Sequence, residues 1–77
     1  MIEIVEVRAH LNDIVGHVTF DYNESSCGID PILSTEFEMW YGDKTITVTS
    51  IDEVFSTKLF DNKNLTDIWN DVTDVDL

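Results

Sequence analysis

The stretch Phe37-Glu38-Met39-Trp40-Tyr41-Gly42-Asp43-Lys44-Thr45-Ile46-Thr47-Val48-Thr49 constrains this chain more than any other. It reads as a β-hairpin closed by Gly42-Asp43, because glycine at the first central position is what a type II′ turn requires. With those two residues as the loop, Tyr41 faces Lys44, Met39 faces Ile46 and Phe37 faces Val48. Side chains alternate across a strand, so Phe37, Met39, Ile46 and Val48 share one face. Glu38, Trp40, Thr45, Thr47 and Thr49 share the other. The first set forms a core face. The second leaves an indole on the side away from the core.

The chain before the hairpin reads as a second one. Val5, Val7, Ala9 and Leu11 alternate with Glu6, Arg8 and His10, the period of a half-buried strand. With Asn12-Asp13 as the turn, Leu11 meets Ile14, Ala9 meets Gly16, Val7 meets Val18 and Val5 meets Phe20, all on one face. A helix competes over Arg8 to Val15, but this pairing favours a hairpin. Asn23 to Thr35 is irregular in composition, and Pro31 removes a backbone donor. Ile29, Ile32 and Leu33 are expected to cover an open edge of the core.

After the central hairpin, Ser50-Ile51-Asp52-Glu53 has the pattern of a capping box. Ile51, Val54, Phe55 and Leu59 follow at helical spacing. Asp61-Asn62-Lys63-Asn64 breaks that helix, and Asn64 caps another in which Leu65, Ile68, Trp69 and Val72 form one apolar stripe. The expected fold is therefore α+β: a single domain over 1–77, with two layers. An antiparallel sheet comes from two hairpins (about 2–11/14–22 and 36–41/44–50), and two short helices (about 51–59 and 65–73) lie on one face. Trp69 belongs to the core.

Size and charge bound the function. A chain of 77 residues buries only about 60–65% of its unfolded surface, which leaves no room for a deep catalytic cleft. Sixteen acids against four bases give a net charge of −12, which repels nucleic acid and anionic membrane and favours basic partners. One cysteine, Cys27, excludes an internal disulfide and points to a reducing compartment. Glu3 and Glu6 stand where a signal peptide needs positive charge. No apolar run approaches the roughly 18–20 residues of a membrane span. A cytoplasmic protein is expected.

No catalytic residue, metal ligand set or cofactor motif emerges. Cys27 lies near Glu24 and Asp30, which oppose thiolate formation. In the expected first hairpin His10 and His17 are diagonal neighbours on the outward face, but Arg8 stands opposite His17 and no third ligand has the right spacing. What remains is acidity. Asp67, Asp71 and Asp74 fall at i, i+4 and i+7 of the expected last helix, about 5–6 Å of rise per turn, a spacing of the same order as phosphates along a nucleic-acid strand. Asp52, Glu53, Asp61 and Asp76 extend this C-terminal acidic surface, where seven acids accompany two bases. A solvated helix face is the plainer reading of the three aspartates alone. The runner-up site is the outer hairpin face, Glu38, Trp40, Thr45 and Thr47, since tryptophan is enriched among binding hot spots. These two surfaces are expected on opposite sides of the domain.

In charge and size the chain resembles the acidic DNA-mimic inhibitors of phages and mobile elements, such as anti-CRISPR, anti-restriction and uracil-DNA glycosylase inhibitor proteins. The likeness is one of bulk properties, so no residue roles carry over. It implies a non-catalytic inhibitor that fills the basic nucleic-acid cleft of an effector, with a protein partner, no direct nucleic-acid or membrane binding and no cofactor. The alternative is an interaction module or accessory subunit whose acidity serves solubility. Homo-oligomerisation stays open.

Overall fold

A computed structural model describes residues 2–13 and 16–77. In chain order its elements are α1 (Ile4–Asn12), β1 (Val18–Tyr22), β2 (Ser25–Leu33), β3 (Glu36–Tyr41), β4 (Lys44–Val48), α2 (Ile51–Ser56), α3 (Leu65–Ile68), a 3₁₀ turn (Trp69–Asp71) and β5 (Thr73–Asp76). The five strands form one antiparallel sheet in the order β4-β3-β2-β1-β5. The helices pack on one side of it, the two-layer α+β architecture expected of the chain.

The central hairpin forms in the register its sequence dictates: Phe37 pairs with Val48, Met39 with Ile46 and Tyr41 with Lys44. Gly42 takes φ +58° while Asp43 stays at negative φ, as a type II′ turn requires. Phe37, Met39 and Val48 are buried, with Ile46 packed beside them. Across the sheet this face continues through Cys27 and Ile29 of β2 to Val18 and Phe20 of β1. Val7, Leu11, Val54, Leu59, Phe60, Leu65, Ile68 and Trp69 close over it from the helical side. Trp69 is core, as expected. Its ring meets Phe20 edge-on at 5.6 Å between centroids, and its Nε1–H donates to the Ile2 carbonyl at 2.9 Å.

The expected first hairpin does not form. Residues Ile4–Asn12 are a helix, and of the second arm only Val18–Tyr22 is a strand, while Ile14 and Val15 lie outside the described residues. The sequence also carries a helical stripe, since Ile4, Val7 and Leu11 fall at i, i+3 and i+7. That stripe is the one buried, whereas Val5 of the alternating set is 63% exposed. β1 has a nearer partner in β2 through the two-residue turn Asn23-Glu24. Both of its residues take positive φ (54° and 64°), the geometry of a type I′ turn. The helix is fastened from outside: Arg8 pairs with Asp52, and its guanidinium lies 5.2 Å above the centre of the Phe55 ring.

Two further expectations are corrected. The segment taken as irregular, Asn23 to Thr35, holds the middle strand of the sheet. Pro31 fits there because of the bonding phase. Gly42 N–H donates to Ser26 C=O at 2.9 Å, so Gly28 and Asp30 bond towards β3 and the Pro31 nitrogen faces the β1 side. There β1 has already ended, at Val18 opposite Ile29. Ile29 is buried, but Ile32 and Leu33 are 45% and 57% exposed and cover no edge.

The helix expected over 65–73 stops after one turn, and Thr73–Asp76 instead pairs with β1. Thr19 and Asp21 have outward backbone groups that a strand can satisfy and a helix cannot. The pairs Thr19–Asp76 and Asp21–Thr73 leave Asp74 and Val75 opposite Phe20 alone, a bulge with Asp74 at φ +55°. The helix expected over 51–59 is likewise shorter, Ile51–Ser56, and Leu59 and Phe60 enter the core from the turn after it.

Candidate functional site

The helices occupy one side of the sheet and leave the other to solvent. Strand pairing assigns the outer face row by row. One row runs Thr45, Trp40, Gly28, Thr19, Asp76; a second Thr47, Glu38, Asp30; a third Ser26, Asp21, Thr73. The runner-up residues Glu38, Trp40, Thr45 and Thr47 are thus brought together as the hairpin register implies. Three acids that sequence reasoning left out or placed elsewhere join them: Asp21, Asp30 and Asp76. These rows contain no Lys or Arg.

Trp40 is neither free nor covered by a loop. A β-carbon built on Gly28 would stand 2.2 Å from its Cζ2 and 2.5 Å from its Cη2, so the indole lies flat over the Gly28 backbone. The absence of a side chain at Gly28 is what lets the ring lie down, a cross-strand aromatic–glycine contact. One side of the indole packs and the ring stays half-buried.

Beside it Asp30 and Glu38 are directly paired across β2 and β3. Strands stand about 4.8 Å apart, and like charges directly opposite one another destabilise a sheet. No base relieves this pair within its row. At the other end of the face, Asp71 from the 3₁₀ turn lines an open cleft with Asp21 and Glu24.

The C-terminal acidic residues are dispersed rather than aligned. Asp67, Asp71 and Asp74 occupy a helix, a 3₁₀ turn and a strand bulge, so the expected helical row of carboxylates does not exist. Several of these acids already have structural work. Asp52 pairs with Arg8. Glu53 accepts from the Thr49 hydroxyl at 2.6 Å and from the Thr49 N–H at 3.4 Å, and these bonds hold its carboxyl below the ordinary 4.5. Ser50 caps α2 by accepting from Glu53 N–H at 3.2 Å; the returning carboxylate thus answers Thr49 rather than the backbone of Ser50. Asp67 closes a reciprocal capping box with Asn64, at 2.8 and 3.2 Å. Asp61 sits in a turn at φ +55°. Only Asp71 and Asp76 stand where the outer sheet face can use them.

The remaining chemistry is spare. Burial pushes the Cys27 thiol up to about 11, so it is protonated at neutral pH and no thiolate nucleophile. His10 lies on α1 and His17 precedes β1, so the diagonal pairing considered for them fails. Among the described residues no three His, Cys, Asp or Glu side chains converge to hold a metal ion, and no helix is long and apolar enough to cross a membrane.

No family model, curated protein or solved structure matches the chain.

One signal for the missed residues lay in the sequence. Ser26, Gly28 and Asp30 alternate with Cys27, Ile29 and Pro31, the strand pattern that Pro31 masked. Thr73 and Asp76 carried no local signal.

Proposed function

We propose that this protein is a small, acidic, non-catalytic binding protein, an inhibitor that offers a carboxylate surface in place of nucleic acid to the basic cleft of a nucleic-acid-binding protein. The observation that carries this reading is the uncovered sheet face, on which Asp21, Asp30, Glu38 and Asp76 stand among hydroxyls without a base. Carboxylates on adjacent strands lie close enough for one guanidinium to reach two of them. Trp40 gives the same face a rigid apolar anchor. Net charge −12 steers a cationic partner towards it. Of the C-terminal acids expected on the opposite side from Trp40, Asp71 and Asp76 stand at this face.

The alternative is an accessory module whose acidity serves solubility and local structure. It draws on the acids already engaged in caps and an ion pair, Asp52, Glu53 and Asp67. Affinity capture separates the two. Basic proteins held by the immobilised chain should elute with duplex DNA at low salt, and the triple variant Asp30→Asn, Glu38→Gln, Asp76→Asn should release them while Asp61→Asn does not. Retention indifferent to DNA, to salt and to the triple variant rules the mimic out and leaves the module.

A further inference from the structure

We propose that the β4 edge of the sheet receives an extended, basic segment of the partner protein, which adds to the sheet as an outer strand. The sign of the partner's charge rests on the function proposed above; the mode of docking rests on the backbone.

The bonding phase fixes which groups the edge offers. Since Gly42 N–H bonds towards β2, the residues of β3 that bond towards β4 are Phe37, Met39 and Tyr41. Their partners Lys44, Ile46 and Val48 spend their backbone groups inward. The N–H and C=O of Thr45 and Thr47 therefore point out of the sheet, and no backbone partner meets them among the described residues. Thr49 ends this row, because Glu53 takes its N–H.

The two edges of the sheet differ. β5 is short, bulged at Asp74 and carries two acids, the devices by which sheets block strand addition. β4 is regular over its five residues, has no proline or bulge, and holds its one charge, Lys44, at the turn end.

An unpaired ladder edge takes an extended backbone and little else, with side-chain alternation supplying selectivity. Residues of the incoming strand opposite Thr45 and Thr47 stand on the outer face, in the rows of Trp40, Glu38 and Asp30. Long cations suit those positions. The residue opposite Ile46 lies on the core side and is apolar. A second copy of this chain fits badly. Antiparallel pairing centred on Ile46 sets Asp43 of each copy opposite Thr49 of the other, beside Glu53, and joins two chains of charge −12.

The test titrates the full chain, observed by its backbone amide NMR signals, with three capped octapeptides. One alternates lysine and valine; one is the same peptide N-methylated along a single strand edge; one alternates glutamate and valine. The lysine peptide should shift the Thr45 and Thr47 amides first. N-methylation should weaken it about tenfold, the loss expected for roughly two backbone hydrogen bonds. Thr47→Pro should weaken it to a similar degree, since that nitrogen makes no bond to β3; if this variant does not fold, the N-methylated peptide decides alone. Equal binding of the N-methylated peptide overturns strand addition and leaves the acidic-face function standing. Equal binding of the glutamate peptide overturns the basic partner. No shift at Thr45 and Thr47, or a dimer formed through them without peptide, overturns the proposal outright.

Discussion

Gly28 and Trp40 are the residue pair on which the outer face turns. Neither is notable alone: a glycine in a strand weakens it, and a tryptophan on a solvent face is an exposed hydrophobe. Together they make a flat aromatic platform. Gly28→Ala drives a methyl group into the indole, and overpacking of this kind costs about 1–3 kcal/mol. The expected result is a lower urea midpoint and a red-shifted Trp40 emission, read in a Trp69→Phe background. In Trp40→Ala the same change at Gly28 should be nearly neutral, and the double-mutant cycle measures the coupling. Cys27 makes a second residue-scale prediction. Its folded value of about 11 exceeds the ordinary 9.0 because of burial. The unfolded chain therefore sheds this proton first as pH rises, and stability falls between pH 9 and about 11. Denaturation midpoints across that range should show the fall in the native protein, and Cys27→Ala should remove this part of it.

At the scale of elements, the short helices depend on their caps. Helix α3 is a single turn, too short to persist by propensity, and its start is fixed by the reciprocal Asn64–Asp67 bonds. Replacing a cap of this type by alanine costs roughly 1 kcal/mol. Asn64→Ala should lower the melting temperature accordingly, with faster amide exchange confined at first to Leu65–Asp71. Because Trp69 lies just beyond that turn and donates to the Ile2 carbonyl, loosening it should also speed exchange in α1. The amides that bond within the β3–β4 hairpin, those of Lys44, Ile46 and Val48 among them, should stay protected, since its register is set by its own turn and alternation.

For the whole molecule, the outer face sets stability against binding. Sixteen acids against four bases repel one another, and the directly paired Asp30 and Glu38 concentrate that repulsion where no base answers it. Asp30→Asn should therefore raise stability by about 0.2–1 kcal/mol, the scale of a cross-strand pair, while weakening capture of a basic partner. Added sodium chloride should raise the melting temperature of the native protein and narrow its difference from the variant, as screening removes the repulsion. A melting temperature unmoved by salt would show that the acids do not feel one another.

What the sequence determined by itself is whatever a short span of chain can decide. The Gly42-Asp43 turn fixes a two-residue loop, and alternation then fixes every pair between Phe37 and Val48. The runner-up residues Glu38, Trp40, Thr45 and Thr47 were legible for that reason, as were the caps at Ser50 and Asn64 and the burial of Trp69. Tertiary structure decided the rest. Residues 4–12 carry both a strand period and a helical one, and the apolar surface available to cover, rather than any local preference, selected the helix. Pro31 reads as a breaker until the end of β1 leaves its nitrogen without a donor to supply. Asp67, Asp71 and Asp74 look like one helical row until β1 recruits Thr73–Asp76 as a strand. The outer face is assembled from β5, β1, β2, β3 and β4, and Asp76 joins Asp21, Asp30 and Glu38 there only through the pairing of β5 with β1, residues far apart in the chain. Local rules set a residue's direction within its own strand; which strand lies beside it depends on how the whole chain closes its core.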